Sequence, residues 1–249
     1  MIILSLGNPG SGKTASIVRE MAMEASGRKS YSNIITKRIK SNSIINPEMI
    51  VSKNIVKTIK KKSGEMEPVY ELKLNVDFWK SINEPIDVII DEAHSIINAR
   101  RAMSKVNVIM SDWLALIRRV IGQSDSGYGR LVLISQLLRR IDPIARDMAT
   151  QVRFHRCHYM KTCRECYMMW RENSDNPEPI WQCPGCGSFK IKKHSHKVEV
   201  WHFPDVKAYE AWAEFGMSSF HRHYIINDIE DFFPMYNTLQ WDNMFSELY

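Results

Sequence analysis

The chain has 249 residues, 44% of them hydrophobic and 25% charged, with a formal net charge of +6 at neutral pH. That length suits one α/β domain with a small appendage, and the ordinary composition excludes disordered and fibrous classes. No apolar run approaches the ~20 residues of a membrane span, and the apolar run directly after Met1 leaves no room for a leader, so a cytoplasmic protein is expected.

Ile2-Ile3-Leu4-Ser5-Leu6 reads as a buried parallel strand. It runs into Gly7-Asn8-Pro9-Gly10-Ser11-Gly12-Lys13-Thr14, and the residues from Ala15 onward have helix-forming composition. A strand, a Gly-rich G-x-x-x-x-G-K-[ST] loop and a helix in this order make a phosphate cradle. The glycines let backbone N–H groups turn toward phosphate oxygens, and the helix N-terminus adds its partial positive charge. Lys13 is then expected on the β- and γ-phosphates of ATP, and the Thr14 hydroxyl on Mg2+, which prefers oxygen ligands.

Ser26 to Lys29 stops the first helix, and Tyr31 to Ile35 reads as a short strand. Residues 37–62 hold eight Lys+Arg and one acid, Glu48. A helix from about Pro47 to Lys62 with a positive exposed face is expected there, serving either solubility or an anionic partner. Val69 to Leu74 alternates apolar and polar residues, as a half-buried strand does. Pro85 to Ile90 is a second buried strand, and it ends in Asp91-Glu92-Ala93-His94. This Walker B pattern places Asp91 on the Mg2+ beside Thr14, with Glu92 able to orient an attacking water, which favours hydrolysis over phosphoryl transfer to another substrate.

Val106 to Val120 is helix-forming and ends in Arg118-Arg119, and a loop from Gly122 to Gly129 follows. Leu131 to Ile134 is another buried strand, closed by Ser135-Gln136. Gln136 at the end of the strand beside the first one can sense a γ-phosphate or hold water. A loop and a helix cover Leu137 to Asp147, and Gln151 to Tyr159 reads as a fifth strand.

Cys163-x-x-Cys166, sixteen residues, then Cys183-x-x-Cys186 suits tetrahedral Zn2+ rather than disulfides. Each pair forms a tight knuckle, with Tyr167 to Arg171 and Ile180 to Gln182 as hairpin arms between them. Redox use of one pair would want a helix directly after it. Cys157 is left over, and His155, His158, His194 and His196 are near enough in sequence to be alternative ligands. Since Val198 to Phe203 reads as a return strand, the cysteines belong at the tip of a hairpin. The expected division is a core over 1–160, a zinc ribbon over 161–195 and a return segment over 196–249. That last part is acidic: residues 204–249 carry two Lys+Arg against eight Asp+Glu. The remainder is basic, as suits an anionic polymer such as DNA.

Taken together, these motifs resemble the HerA/FtsK superfamily of P-loop ATPases. The resemblance rests on the Walker pair, Tyr31-Ser32-Asn33-Ile34, Arg100 or Arg101, Arg119-x-x-Gly122, Ile134-Ser135-Gln136, Ile141-Asp142-x-x-Ala145-Arg146, and Phe233 to Thr238. Within the superfamily the chain is most similar to the zonula-occludens-toxin-like and viral genome-packaging ATPases. The resemblance implies a RecA-like (ASCE) α/β fold, with a mainly parallel central sheet flanked by helices and an additional strand between the Walker strands. It also implies a hexameric ring and an arginine finger acting across a subunit boundary, for which Arg119 matches by its spacing to Gly122; Arg118, Arg139, Arg140 and Arg146 compete. The toxin-like members of filamentous phages carry a membrane segment that this sequence lacks, and the cysteine insertion departs from the common pattern. The expected function is an ATP-driven motor that moves duplex DNA in a virus or mobile element, working in host cytoplasm or with a virion or portal. Alternatives are a nucleotide-dependent DNA-binding switch or initiator, a virion-morphogenesis ATPase without its own anchor, and a small-molecule kinase, which Glu92 disfavours.

Overall fold

The computed structural model describes residues 1–24, 27–60, 65–95, 97, 105–121, 129–176 and 180–237. In chain order its elements begin β1 (Ile2–Leu6), α1 (Lys13–Ala22), β2 (Lys29–Ser32), β3 (Asn42–Ile44), α2 (Pro47–Ile50), β4 (Val51–Lys60), β5 (Met66–Leu74) and α3 (Val76–Lys80). They continue as β6 (Ile86–Ile90), α4 (Lys105–Val120), β7 (Arg130–Ser135), α5 (Pro143–Asp147), β8 (Gln151–Cys163), β9 (Met169–Asn173), β10 (Ile191–Phe203), α6 (Val206–Phe215) and β11 (Arg222–Ile226).

Nine strands form one sheet, ordered β11-β10-β8-β1-β7-β6-β2-β3, with β9 added to β8. From β8 to β3 every neighbouring pair is parallel, and β7 lies between β1 and β6. Five of the eight pairings are thus parallel, and the sheet is mixed because β9, β10 and β11 pair antiparallel. The chain turns back at the cysteines and again after α6; the five residues between β8 and β9 are too few for the crossover a parallel strand needs.

Both faces of the parallel part are covered, as the uninterrupted burial of β1 and β6 requires. Ile3, Ile89, Val132 and Ile134 meet Ile17, Val18 and Met21 of α1 on one face. Leu4, Leu6, Val88, Ile90, Leu131 and Leu133 meet Met110, Trp113, Leu114 and Ile117 of α4 on the other. At the N-terminal ends of the strands, Glu20 of α1 bridges Arg130 at 2.9 Å and Arg153 at 2.6 Å, fastening the helix to two strands.

The expected helix over Pro47 to Lys62 is a single turn, α2, followed by β4, which pairs with β5 as a separate two-stranded hairpin. Val51, Ile55, Val56, Thr58 and Ile59 explain the difference, since β-branched side chains lose χ1 freedom in a helix and suit a pleated strand. The expected arms of the cysteine module also differ. Residues 169–173 fold back on β8 as β9, and Ile180 to Gln182 is not a strand. Finally, β8 continues to Cys163, and β10 starts at Ile191. No helix among the described residues is long and apolar enough to cross a membrane.

Candidate functional site

Because β1, β6, β7 and β8 are parallel, the segments that follow β1, β6 and β7 emerge at one edge of the sheet, beside the middle of β8. The 7–12 loop turns there with φ of 148° at Gly7, 74° at Gly10 and 85° at Gly12. Two of these glycines also answer to crowding. A Cβ on Gly7 would stand 2.5 Å from the carbonyl oxygen of His155, and one on Gly12 would stand 2.3 Å from Cγ2 of Val198. The loop is therefore pressed against β8 and β10, and only glycine permits it.

Lys13 opens α1 and folds back under the loop. Its Nζ donates to the carbonyls of Gly7 at 2.8 Å and Asn8 at 3.0 Å, and to Oγ of Ser11 at 3.4 Å. Burial lowers its pKa, while the Asp91 and Glu92 carboxylates act to raise it. Thr14, one residue on, donates its hydroxyl to Oδ2 of Asp91 at 2.8 Å, joining the loop to the end of β6.

Asp91 is held from several sides. Asn33, just past β2, accepts from its backbone N–H at 2.7 Å and donates to its carbonyl at 2.9 Å. Its Oδ1 accepts from the N–H of Glu92 at 2.8 Å. Burial raises the Asp91 pKa, and the nearby Glu92 charge adds to that, against the Thr14 and Glu92 hydrogen bonds and Lys13. A carboxylate pushed toward protonation by burial gains from a hard cation, and Thr14 with Asp91 fits the one or two protein oxygens that Mg2+ takes beside waters and phosphate. Tyr236 also reaches this region: its pKa is pushed up to about 12, mainly by burial and further by the Asp91 charge.

Glu92 sits at φ 50°, an uncommon left-handed backbone for a non-glycine residue. Gln136 at the end of β7 donates from Nε2 to Glu92 Oε1 at 3.4 Å. His94 Nδ1 lies 3.2 Å from Glu92 Oε2 and 3.5 Å from Oγ of Ser135. Burial lowers the His94 pKa, so the neutral imidazole is favoured. Gln136 thus donates to one oxygen of an exposed carboxylate, and His94 lies against the other.

Arg119 is exposed at the far end of α4. Ile121 accepts from Gly129 N–H, and the Met1 terminus donates to the Gly129 carbonyl, so this helix end lies at the N-terminal ends of the strands, opposite the loop. Arg100, Arg101, Gly122 and Thr238 lie outside the described residues.

Neighbours that the motifs alone do not single out complete the site. His155, on β8, is buried beneath the loop with Nδ1 3.2 Å from the Leu6 carbonyl, and burial lowers its pKa to about 3. Asp175, after β9, accepts from Nδ2 of Asn8 at 3.4 Å and is ion-paired with Arg156. Asn33 belongs to the Tyr31-Ser32-Asn33-Ile34 motif of the resemblance, but nothing in that motif gave it a role at Asp91. Asp175 gave no signal, since its contact depends on β9 folding back.

The four cysteines converge at the outer end of the β8–β10 ladder, where Cys163 pairs with Ile191. Their sulfurs lie within 4.8 Å of one another, with Cys163 to Cys186 at 3.6 Å and Cys166 to Cys183 at 3.4 Å. These separations are too long for disulfides and near the ~3.8 Å edge of a tetrahedron with Zn–S of ~2.3 Å. Backbone N–H groups of Glu165 and Cys166 point at the Cys163 sulfur, and that of Gly185 at the Cys183 sulfur, as suits thiolates. The set fits zinc. The four histidines near in sequence bond elsewhere: His155 to the loop strand, His158 to Glu199, His194 to Thr162 and His196 to Glu230. Cys157 is buried apart from the cluster, and burial raises its pKa to about 11.

No curated protein sequence matches the chain. Among solved structures it is similar to the N-terminal domain of zonular occludens toxin from Neisseria meningitidis, at 18% identity over 95% of this chain and 98% of that one, with a TM-score of 0.47. It is also similar to the genome packaging NTPase B204 from Sulfolobus turreted icosahedral virus 2 in complex with ATP-gammaS. There the identity is 11% over 61% of this chain and 74% of that one, with a TM-score of 0.35. The family model described as zonular occludens toxin (Zot) matches residues 1–198. That range runs from β1 through the loop, Asp91, Glu92, Gln136 and the cysteine arm into β10, and on this match the chain belongs to the zonular occludens toxin (Zot) family.

Proposed function

We propose that this chain is a Mg2+-dependent ATP hydrolase that drives the movement of DNA. The observation that carries the proposal is the meeting of Lys13, Thr14 and Asp91 at one edge of a parallel sheet, with Glu92 and Gln136 beside them. In this reading Gly7, Asn8, Pro9, Gly10, Ser11 and Gly12 wrap the phosphates with backbone N–H groups, and Lys13 pairs with the β- and γ-phosphates. Thr14 and Asp91 hold Mg2+, which when bound neutralises charge on the transferring phosphoryl group. Glu92, its oxygens steadied by Gln136 and His94, polarises the attacking water.

The proposed organisation is a RecA-like core over 1–160 and 196–249 with a zinc ribbon over 161–195. Copies of the chain form a hexameric ring. The position of Arg119, away from its own loop, supports a role only in a neighbour's site, where a guanidinium stabilises transition-state charge and is worth ~10³–10⁵-fold in the best-measured NTPases. Arg119→Ala mixed with Lys13→Ala is expected to recover part of the activity that each lacks alone. No recovery in confirmed mixed rings, or full activity of Arg119→Ala alone, sinks that role and moves the search to Arg118, Arg139, Arg140 and Arg146.

DNA as the load is supported by the basic body and by the exposed lysines of the β4–β5 hairpin, Lys57 and Lys60 among them. ATP turnover measured with and without DNA tests it, and several-fold stimulation is the expected result. The Zot family match favours a second reading, an ATPase of virion morphogenesis; turnover indifferent to both duplex and single-stranded DNA would select it.

A further inference from the structure

We propose that the cysteine arm is a grip for single-stranded DNA, a function that rests on the DNA reading above and narrows it. The arm rises beside the nucleotide loop. β1 ends its pairing with β8 at Leu6 and Phe154, and β8 then runs on to Cys163, about 30 Å at ~3.3 Å per residue. Beyond β1 the ladder is rebuilt by β9 on one side of β8 and β10 on the other.

Directly opposed residues in such a ladder share a face. Lys192, Thr162 and Met169 form one row, and His194, Met160 and Arg171 form the next on the same face. Lys192 and Arg171 are exposed there, and Arg164 is exposed on the first knuckle. None of these three cations has a carboxylate partner among the described residues. Among the described residues the arm's acids are already paired, Glu165 with Lys190 at 2.9 Å, buried Glu172 with Lys161 at 2.9 Å, and Asp175 with Arg156.

Three large rings are exposed at the metal end of the arm: Tyr167 is 77% exposed, Trp181 74% and Phe189 71%. Exposed rings on an arm that also carries unpaired cations suit bases that stack and phosphates that pair. A duplex hides its base faces, so this chemistry selects a single strand. Exposed aromatic, methionine and arginine side chains are also enriched at protein interfaces, so a protein occupant is the outcome that failure to bind the oligonucleotide would select. The closed four-sulfur site would hold the rings on a rigid support.

The test is fluorescence anisotropy of a fluorescein-labelled oligothymidylate, about 20 nucleotides so as to exceed one site, titrated without ATP. Parent protein is expected to bind it more tightly than a duplex of the same length. Trp181→Ala and Phe189→Ala are each expected to weaken binding about ten-fold. Phe215→Ala, an equally exposed ring on α6, should bind as the parent does. Zinc content and ATP turnover without DNA, equal to the parent's, show that the arm variants are folded. Stacking should also quench parent tryptophan fluorescence more than that of Trp181→Phe. Parental affinity in both arm variants, preference for duplex, or loss of a protein contact without loss of oligonucleotide binding overturns the proposal. If DNA stimulates turnover equally in parent and arm variants, the grip is wrong and the ATPase reading stands. If the arm binds oligothymidylate but no ATP is hydrolysed, the reverse holds.

Discussion

Lys13→Ala protein is expected to turn over no ATP, and Glu92→Gln protein to bind ATP with parental affinity while hydrolysing it ~10²–10⁴-fold more slowly. Removing Lys13 takes away the charge for the phosphates and the donor that holds the carbonyls of Gly7 and Asn8. Those carbonyls are then left without that donor in a loop already crowded by His155 and Val198, so loop geometry suffers as well as electrostatics. Glu92→Gln is milder by construction. An amide fills the same space, still accepts from Gln136 through its oxygen, and tolerates the left-handed backbone no worse. What it loses is the negative charge that polarises water. Binding measured with a slowly hydrolysed ATP analogue, and turnover by phosphate release, separate the two variants. Turnover by Glu92→Gln above about a tenth of the parent rate would remove Glu92 from the base role.

The core of this site was legible because its signals are local. A buried run, a Gly-rich loop and a helix occupy consecutive residues, and Asp91 ends a run buried throughout; each is visible in a window of about fifteen residues. The order of the strands was legible only by way of the family resemblance, since nothing in β7 itself says that it lies between β1 and β6. The 47–62 segment failed for a different reason. Its lysines at mixed spacing suggest a helical face, but Ile55-Val56 and Thr58-Ile59 decide for a strand once β5 is there to pair, and that partner is remote in sequence. Likewise, β8 looked complete at Tyr159. The strands that pair with its last residues, β9 and β10, are brought into place by the turn at the cysteines, so its full length follows from tertiary contacts. Asp175 shows what such contacts can do for function. Its carboxylate joins Asn8 of the loop to Arg156, and Arg156 also stacks over Trp201 at 4.8 Å. The base of the arm therefore touches the loop that would hold phosphate.

One tightly held Zn2+ per chain is expected, and Cys183→Ser with Cys186→Ser should lose it together with the structure of the arm. The tip, beyond the last pairs of the β8–β10 ladder, has little else to hold it. Cys163 and Cys183 are buried there, whereas Tyr167, Met168, Met169, Trp181 and Phe189 turn outward. Backbone hydrogen bonds close each knuckle, Cys163 N–H to Met168 and Cys183 N–H to Ser188, while Arg164 N–H to Lys190 and the exposed Glu165–Lys190 pair link the first to the return strand. Apparent zinc binding to sites of this kind is worth ~10–16 kcal/mol at neutral pH, more than these few bonds supply at about 1 kcal/mol each. Losing the metal should therefore release the tip while the sheet from β1 to β6, buried under α1 and α4, stays folded. Hydrogen exchange resolves the two parts. Amides of Cys163, Arg164 and Cys183 should lose protection in the double serine variant, and those of β1, β6 and β7 should keep it. Elemental analysis that finds no zinc in the parent, zinc retained by the double variant, or protection of those three amides unchanged without metal would overturn the four-cysteine assignment.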